Sequence, residues 1–173
     1  MKNFEFEHNG EKLWYSRSLA CNIGVFRINN DEYEVLACKR GQGCEFNKGL
    51  WNIPGGFIDF NENAAQCAIR ELFEETGVKI PEKKVTFYRL STNPRGVRQT
   101  MNASHYAFFE KEETLDWVFT TEFSENEETE EIKWIPLSDL NKYKWTHNQI
   151  PLINNMCAEL QLTQKLYFQW KCQ

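Results

Sequence analysis

Apolar and polar positions change period several times along this chain, and each change marks an element. FEFEHNGEKLWYS alternates on both sides of Asn9-Gly10, a dipeptide suited to a two-residue hairpin turn, so residues 3 to 16 read as a two-stranded hairpin extension. Leu19 to Ile28 and Tyr33 to Lys39 flank the polar turn Asn29-Asn30-Asp31 and read as paired strands. A polar, Gly-containing loop from Arg40 to Gly49 leads into GLWNIPGGF, a short strand and turn. The period then becomes helical: Ala65, Ala68, Ile69, Leu72 and Phe73 form one apolar stripe, and Gly77 supplies a C-terminal stop after Thr76. Val85 to Leu90 and Ala103 to Phe109 follow as strands. After the acidic loop SENEETEE, IKWIPL reads as a strand, Ser138 to Leu140 as a short helix start, and residues 147 to 162 as a closing helix. Helices and strands interleaved in this way predict an α/β fold with its sheet covered on both sides.

Outside the apolar stripe of the first helix, Glu71, Glu74 and Glu75 stand at i, i+3 and i+4 and project from one face. Unpaired, such a cluster repels itself, and a hard cation with oxygen ligands relieves it; Mg²⁺ or Mn²⁺ fits best. A solvated acidic face is the alternative, and the wider spacing decides against it. Gly56, five residues, Glu62, seven residues, then Arg70-Glu71-Leu72-Phe73-Glu74-Glu75-Thr76-Gly77-Val78 matches every fixed position of the Nudix box, so the chain resembles the Nudix hydrolases. Residues 55 to 78 carry the box, and looser similarity runs from about Ser18 to about His147. The resemblance implies an α/β/α sandwich with a mixed β-sheet. It also implies hydrolysis of the pyrophosphate bond in a nucleoside diphosphate linked to another moiety. Glu74 and Glu75 would be the main metal ligands, Glu71 a ligand or a group acting through water, and the Gly55 carbonyl a further oxygen. Arg70 would orient the carboxylates and Glu62 brace the loop. A bound metal would neutralise phosphate charge and activate water.

At 173 residues, one domain spanning 1 to 173 is expected. Hydrophobic residues at 41% and aromatics at 14% exclude disorder as a whole-chain description. A net charge of −5 and a pI near 5.3 argue against a phosphate-backbone binder, so nucleic acid is not expected among the partners. The six cysteines form no CxxC pair and no zinc spacing, and read as reduced thiols. No signal segment and no apolar stretch long enough to span a bilayer is present, so no membrane partner and a cytoplasmic location are expected.

The metal site leaves the leaving group open. STNPRGVRQTMNASHYAFF is similar to the corresponding stretch of the ADP-ribose pyrophosphatase-like group, with Asn93 where those relatives carry an acidic residue before Pro94. ADP-ribose or a related nucleotide sugar is the implied substrate, yielding AMP and a sugar phosphate. Arg40, Arg95 and Arg98 are candidate phosphate or ribose ligands, with solvated loop arginines as the alternative. Tyr15, Trp51 and Tyr106 are available for adenine stacking or for core packing. Glu128 matches a glutamate that serves relatives as an extra ligand or base, against a plain acidic loop. His147 is read as structural. Two other functions stay open: pyrophosphohydrolysis of nucleoside triphosphates or RNA 5′ ends, and a non-catalytic ADP-ribose-sensing module, whose DNA-binding segment the residues after His147 are expected to leave no room for. The apolar residues of the N-terminal hairpin need a packing partner, and a homodimer is the expected one, with packing back onto its own domain as the alternative.

Overall fold

The computed structural model describes residues 4 to 15, 18 to 92, 100 to 110 and 128 to 161. The hairpin forms as the Asn9-Gly10 signal requires: β1 (Phe4–His8) and β2 (Glu11–Tyr15) pair antiparallel, and Asn9 and Gly10 take positive φ of 54° and 82°. It is a separate two-stranded sheet whose side chains from Glu5 to Leu13 are exposed.

The main sheet has six strands: β3 (Leu19–Asn29), β4 (Glu32–Arg40), β5 (Trp51–Asn52), β6 (Thr86–Thr92), β7 (Met101–Phe109) and β8 (Thr129–Pro136). Its order is β5-β4-β3-β7-β6, with β8 also paired to β4. β3 and β7 are parallel and every other pair is antiparallel, so the sheet is mixed. Helix α1 (Ala64–Thr76) and helix α2 (Gln149–Glu159) bring a separate apolar cluster to each face. Alternation along the strands divides the residues between them. Cys21, Ile23, Val25 and Leu36 join Ala68 and Leu72 of α1, whereas Phe26, Val35 and Ala37 join Ile153 and Met156 of α2. Full burial of Leu72 alone contributes about 2 kcal/mol. The Nudix-type α/β/α sandwich expected from the box is the architecture observed.

Helix α1 begins at a capping box. Asn63 Oδ1 accepts from the Ala65 and Gln66 amides at 2.9 Å each, and Gln66 Oε1 accepts from the Asn63 amide at 2.9 Å, an arrangement that contributes about 1 kcal/mol. The helix ends where Gly77, at φ 72°, donates its amide to the Phe73 carbonyl. The preceding segment lies along the start of β3: Cys21 N–H donates to Gly56 O (2.8 Å), Ile23 N–H to Pro54 O (3.0 Å) and Ile58 N–H to Leu19 O (3.1 Å). A disulfide between Cys21 and Cys67, with Cα atoms 6.4 Å apart, joins β3 to α1. This corrects the reading of all six cysteines as thiols. The two residues are 46 apart in sequence and give no local spacing signal. Cys38, Cys44 and Cys157 are free and buried.

Candidate active site

Arg70 organises the acidic face of α1. Its Nε and Nη2 grip both oxygens of Glu62 at 3.0 and 2.7 Å, and Nη2 also donates to the Phe57 carbonyl at 3.0 Å. Nη1 bridges Glu71 Oε1 and Glu74 Oε2, each at 2.8 Å. A planar guanidinium can serve this many acceptors at once; an ammonium cannot. The fork holds the Glu62 carboxyl below its ordinary range and pushes the arginine further up. Glu71 goes the other way, raised mainly by burial despite Arg70.

Glu75 sits deepest. It is 9% exposed, and its Oε2 has no hydrogen-bond partner among the described residues. Burial first, and then repulsion from Glu71, push its carboxyl up to about 8. Arg40, the Gly55 amide and the Cys38 thiol act weakly in the opposite direction. Cys38 itself is kept a neutral thiol by burial.

The two box glycines are needed for space. A Cβ on Gly56 would collide with the Glu71 carboxylate, and one on Gly55 would collide with the Cys21 carbonyl and with Asn22. Backbone and carboxylate thus meet directly at the foot of the helix. Among the described residues no three acidic, histidine or cysteine side chains converge as a preformed cation cage, because Arg70 stands between Glu71 and Glu74. The donor set nonetheless suits a hard cation: oxygen ligands on adjacent turns, one of them a buried oxygen with no partner.

Two cavities with three lining residues in common lie near this cluster, the smaller against Gly55 and Gly56. The smaller, about 290 Å³, is lined by Arg40, Gly55, Gly56, Phe46 and Phe57. The larger, about 640 Å³, lies between the sheet and the start of α2 and is lined by Arg89, Ser91, Ser104, His147 and Leu152 among others. Asn22, Asn102 and Gln149 line both. The floor follows from strand register. Asn22 of β3 lies opposite Ser104 of β7, which lies opposite Arg89 of β6, and the next row pairs Asn102 with Ser91. An irregularity between Phe87 and Arg89 shifts the β6 register. It lets Tyr88 meet Tyr106 and Arg89 face Ser104 together, two residues of β6 serving one side of the sheet. Further along this face, Gly24 lies against Met156 and the surface becomes apolar.

The candidates read from the sequence divide accordingly. Glu71, Glu74, Glu75, Arg70 and Gly55 come together, and Arg40 lines the adjoining cavity, its Nε donating to the Phe46 carbonyl at 3.0 Å. Glu128 is held by its carbonyl, which accepts from the Gly41 amide (2.7 Å) and the Cys44 thiol (3.2 Å), and its charge reaches Glu71. Its neighbours Glu130 and Glu131 pair with Lys39 and Lys133 instead. Arg95 and Arg98 lie outside the described residues. Trp51 is buried edge-on against Tyr143 and belongs to the core. His147, read as structural, lines the larger cavity. Sequence reading passed over Asn22, Arg89, Asn102, Ser104 and Gln149. The available signal was a polar residue inside the apolar run LACNIGVF and the alternation of MNASHYAFF.

The NUDIX domain family matches residues 19–156. Nudix hydrolase 6 of Arabidopsis thaliana is 27% identical over 145 residues, covering 79% of this chain and 47% of that protein. The chain thus spans about half the length, or less, of the curated relatives it first matches. The NUDIX domain of Shewanella oneidensis NrtR, solved in complex with ADP ribose, has the same fold, with a TM-score of 0.68 at 23% identity over 84% of this chain and 90% of that one. S. oneidensis NrtR has also been solved in complex with a 27mer DNA, at 25% identity and a TM-score of 0.63 over 85% of this chain and 63% of that one. That complex overturns the exclusion of nucleic acid made from net charge: a whole-chain charge does not describe the surface a partner meets. No helix among the described residues is long and apolar enough to cross a membrane. With the box geometry, the sandwich and a family match over most of its length in agreement, the chain belongs to the NUDIX family.

Proposed function

We propose that this protein binds a nucleoside diphosphate linked to a sugar, of the ADP-ribose kind, and hydrolyses its pyrophosphate bond. The observation that carries the reading is the nearness of the glutamate cluster, with its full complement of Glu62, Arg70, Glu71, Glu74 and Glu75, to a polar cavity at Gly55 and Gly56 that shares lining residues with a second, larger one. Glu71, Glu74 and Glu75, with the Gly55 carbonyl, would hold Mg²⁺ or Mn²⁺, which supplies phosphate charge neutralisation and an activated water when bound. Arg70 keeps Glu62 and the Phe57 carbonyl as its own partners and so stays in place when Glu71 and Glu74 turn to a cation. Arg40 supplies positive charge to the diphosphate beside Gly55 and Gly56. Glu128 stands close enough to influence Glu71 and is the candidate for moving a proton.

A second reading is favoured by the likeness to NrtR, whose NUDIX domain has been solved with ADP ribose: the same site would bind the nucleotide as a signal without cleaving it. One experiment separates the two. Purified protein is given ADP-ribose with Mg²⁺ or Mn²⁺, and products are resolved by chromatography while binding is followed by calorimetry. AMP and ribose 5-phosphate, with kcat lowered about 10²-fold or more in Glu74→Gln, support hydrolysis. Tight binding without turnover supports sensing, and neither binding nor turnover refutes both.

A further inference from the structure

The larger cavity has a chemistry of its own. Its floor is a polar patch on a sheet face that is otherwise apolar under α2, laid across three neighbouring strands by matched register. Ser104 is 1% and Asn22 8% exposed, and the side-chain oxygens of Asn22 and Asn102 have no hydrogen-bond partner among the described residues. Gln149 uses its Oε1 to accept the Ile53 amide at 3.2 Å, which turns its amide group to the junction of the two cavities. Buried acceptors without partners are costly, and these two belong to residues that line the cavity, where a bound group can supply donors.

The lining also says what that something is. Among the described residues its lining holds one guanidinium, that of Arg89, which does not suit a run of further phosphates. Among the described residues the lining carries no carboxylate to hold a second cation. Among the described residues its walls are Pro151 and Leu152 with no Phe, Tyr or Trp, so a nucleobase would find hydrogen bonds and only the His147 ring and the Arg89 guanidinium as flat partners. Hydroxyl groups, each both donor and acceptor, match asparagine, serine and threonine side chains.

We infer that the larger cavity receives the sugar beyond the diphosphate, and that Arg89, Ser91 and Ser104, with Asn22 and Asn102 at the junction, are the residues that select it. The inference rests on the nucleotide-binding reading above and adds an orientation: diphosphate beside Gly55, Gly56 and Arg40, terminal sugar over β6 and β7. Substrates lacking that sugar gain nothing from this half of the site.

The test compares ADP with ADP-ribose, which differ by the terminal ribose esterified to the β-phosphate. Affinities are measured by titration calorimetry with Ca²⁺ in place of Mg²⁺, and chromatography checks that the ligand stays intact. Wild-type protein is expected to bind ADP-ribose at least tenfold more tightly than ADP. Arg89→Met and Ser104→Ala, at positions that line only the larger cavity, should each remove much of that advantage, Arg89→Met by about tenfold, with ADP affinity kept. Arg89 is exposed, so its variant keeps the fold even if the Ser104 variant does not. Equal affinity for the two ligands in wild type overturns the inference while leaving nucleotide binding in place. Equal weakening of ADP and ADP-ribose by the variants overturns it as well, because the cavity would then hold the nucleoside. Failure to bind either ligand overturns both this inference and the proposed function.

Discussion

Replacing Glu75 by glutamine should stabilise the metal-free protein while abolishing its function. The carboxyl is raised from 4.5 to about 8, chiefly by burial. The folded state therefore holds a proton that the unfolded state releases, and stability falls as pH rises from about 4.5 through about 8. At about 1.4 kcal/mol for each tenfold change in proton affinity, the loss is on the order of 3 kcal/mol at pH 7 and about 5 kcal/mol above pH 8. Glutamine keeps the shape and an oxygen for the Gly55 amide, and carries no ionisation to penalise. For a chain of this size 1 kcal/mol shifts Tm by about 2–4 °C. The assay is thermal unfolding in EDTA at pH 5.0, 7.0 and 8.5. Glu75→Gln should melt about 5 °C or more above wild type at pH 8.5, with the gap closing towards pH 5. Added Mg²⁺ should raise wild type and leave the variant unmoved. A variant melting at or below wild type at pH 8.5, or a gap independent of pH, would refute the assignment of strain to this carboxylate.

Three further outcomes follow from the geometry. Gly56→Ala should cost activity about tenfold or more with little change in Tm, because the new methyl displaces the mobile end of Glu71 and spares the backbone; normal activity would show that Glu71 has no fixed place there. Arg70→Lys should lower stability by about 2 kcal/mol in chemical denaturation, since an ammonium cannot hold Glu62, Glu71 and Glu74 together, and an unchanged midpoint would count against the hub. Reducing the Cys21–Cys67 bond should lower Tm measurably, because closing a loop of this length contributes about 4 kcal/mol in the chain-entropy treatment; identical melts with and without dithiothreitol would exclude the bond.

The first helix was legible because its signals are local: the apolar stripe, the glutamates at adjacent turns and Gly77 all lie within a few residues of what they control. The same holds for the Asn9-Gly10 turn and for β3 and β4, whose observed ends, Asn29 and Arg40, lie one residue beyond the expected ones. What stayed hidden depends on pairing across the sheet. Asn22 is a polar residue inside an apolar run, but only the parallel register with β7 shows that Ser104 lies beside it. The shifted register that brings Arg89 to the same row leaves no mark in TFYRLST. Arg70 was expected to orient the carboxylates, but that one of its nitrogens bridges Glu71 and Glu74 was not legible, since charge spacing alone cannot say whether an arginine or a cation fills the space between them.

The parallel pairing of β3 with β7 has a consequence for how the chain reaches its working form. Local hairpins such as β3–β4 and β6–β7 close over short loops, whereas residue 22 must find residue 104 across most of the domain. Contacts of such separation are entropically the most expensive to make and set the pace of folding. The floor of the larger cavity is built from this pair, so a collapsed chain with both hairpins formed still lacks half of the proposed ligand site. In a refolding experiment, recovery of nucleotide affinity should therefore trail recovery of strand content, and a nucleotide present from the start should pull the last step forward by mass action.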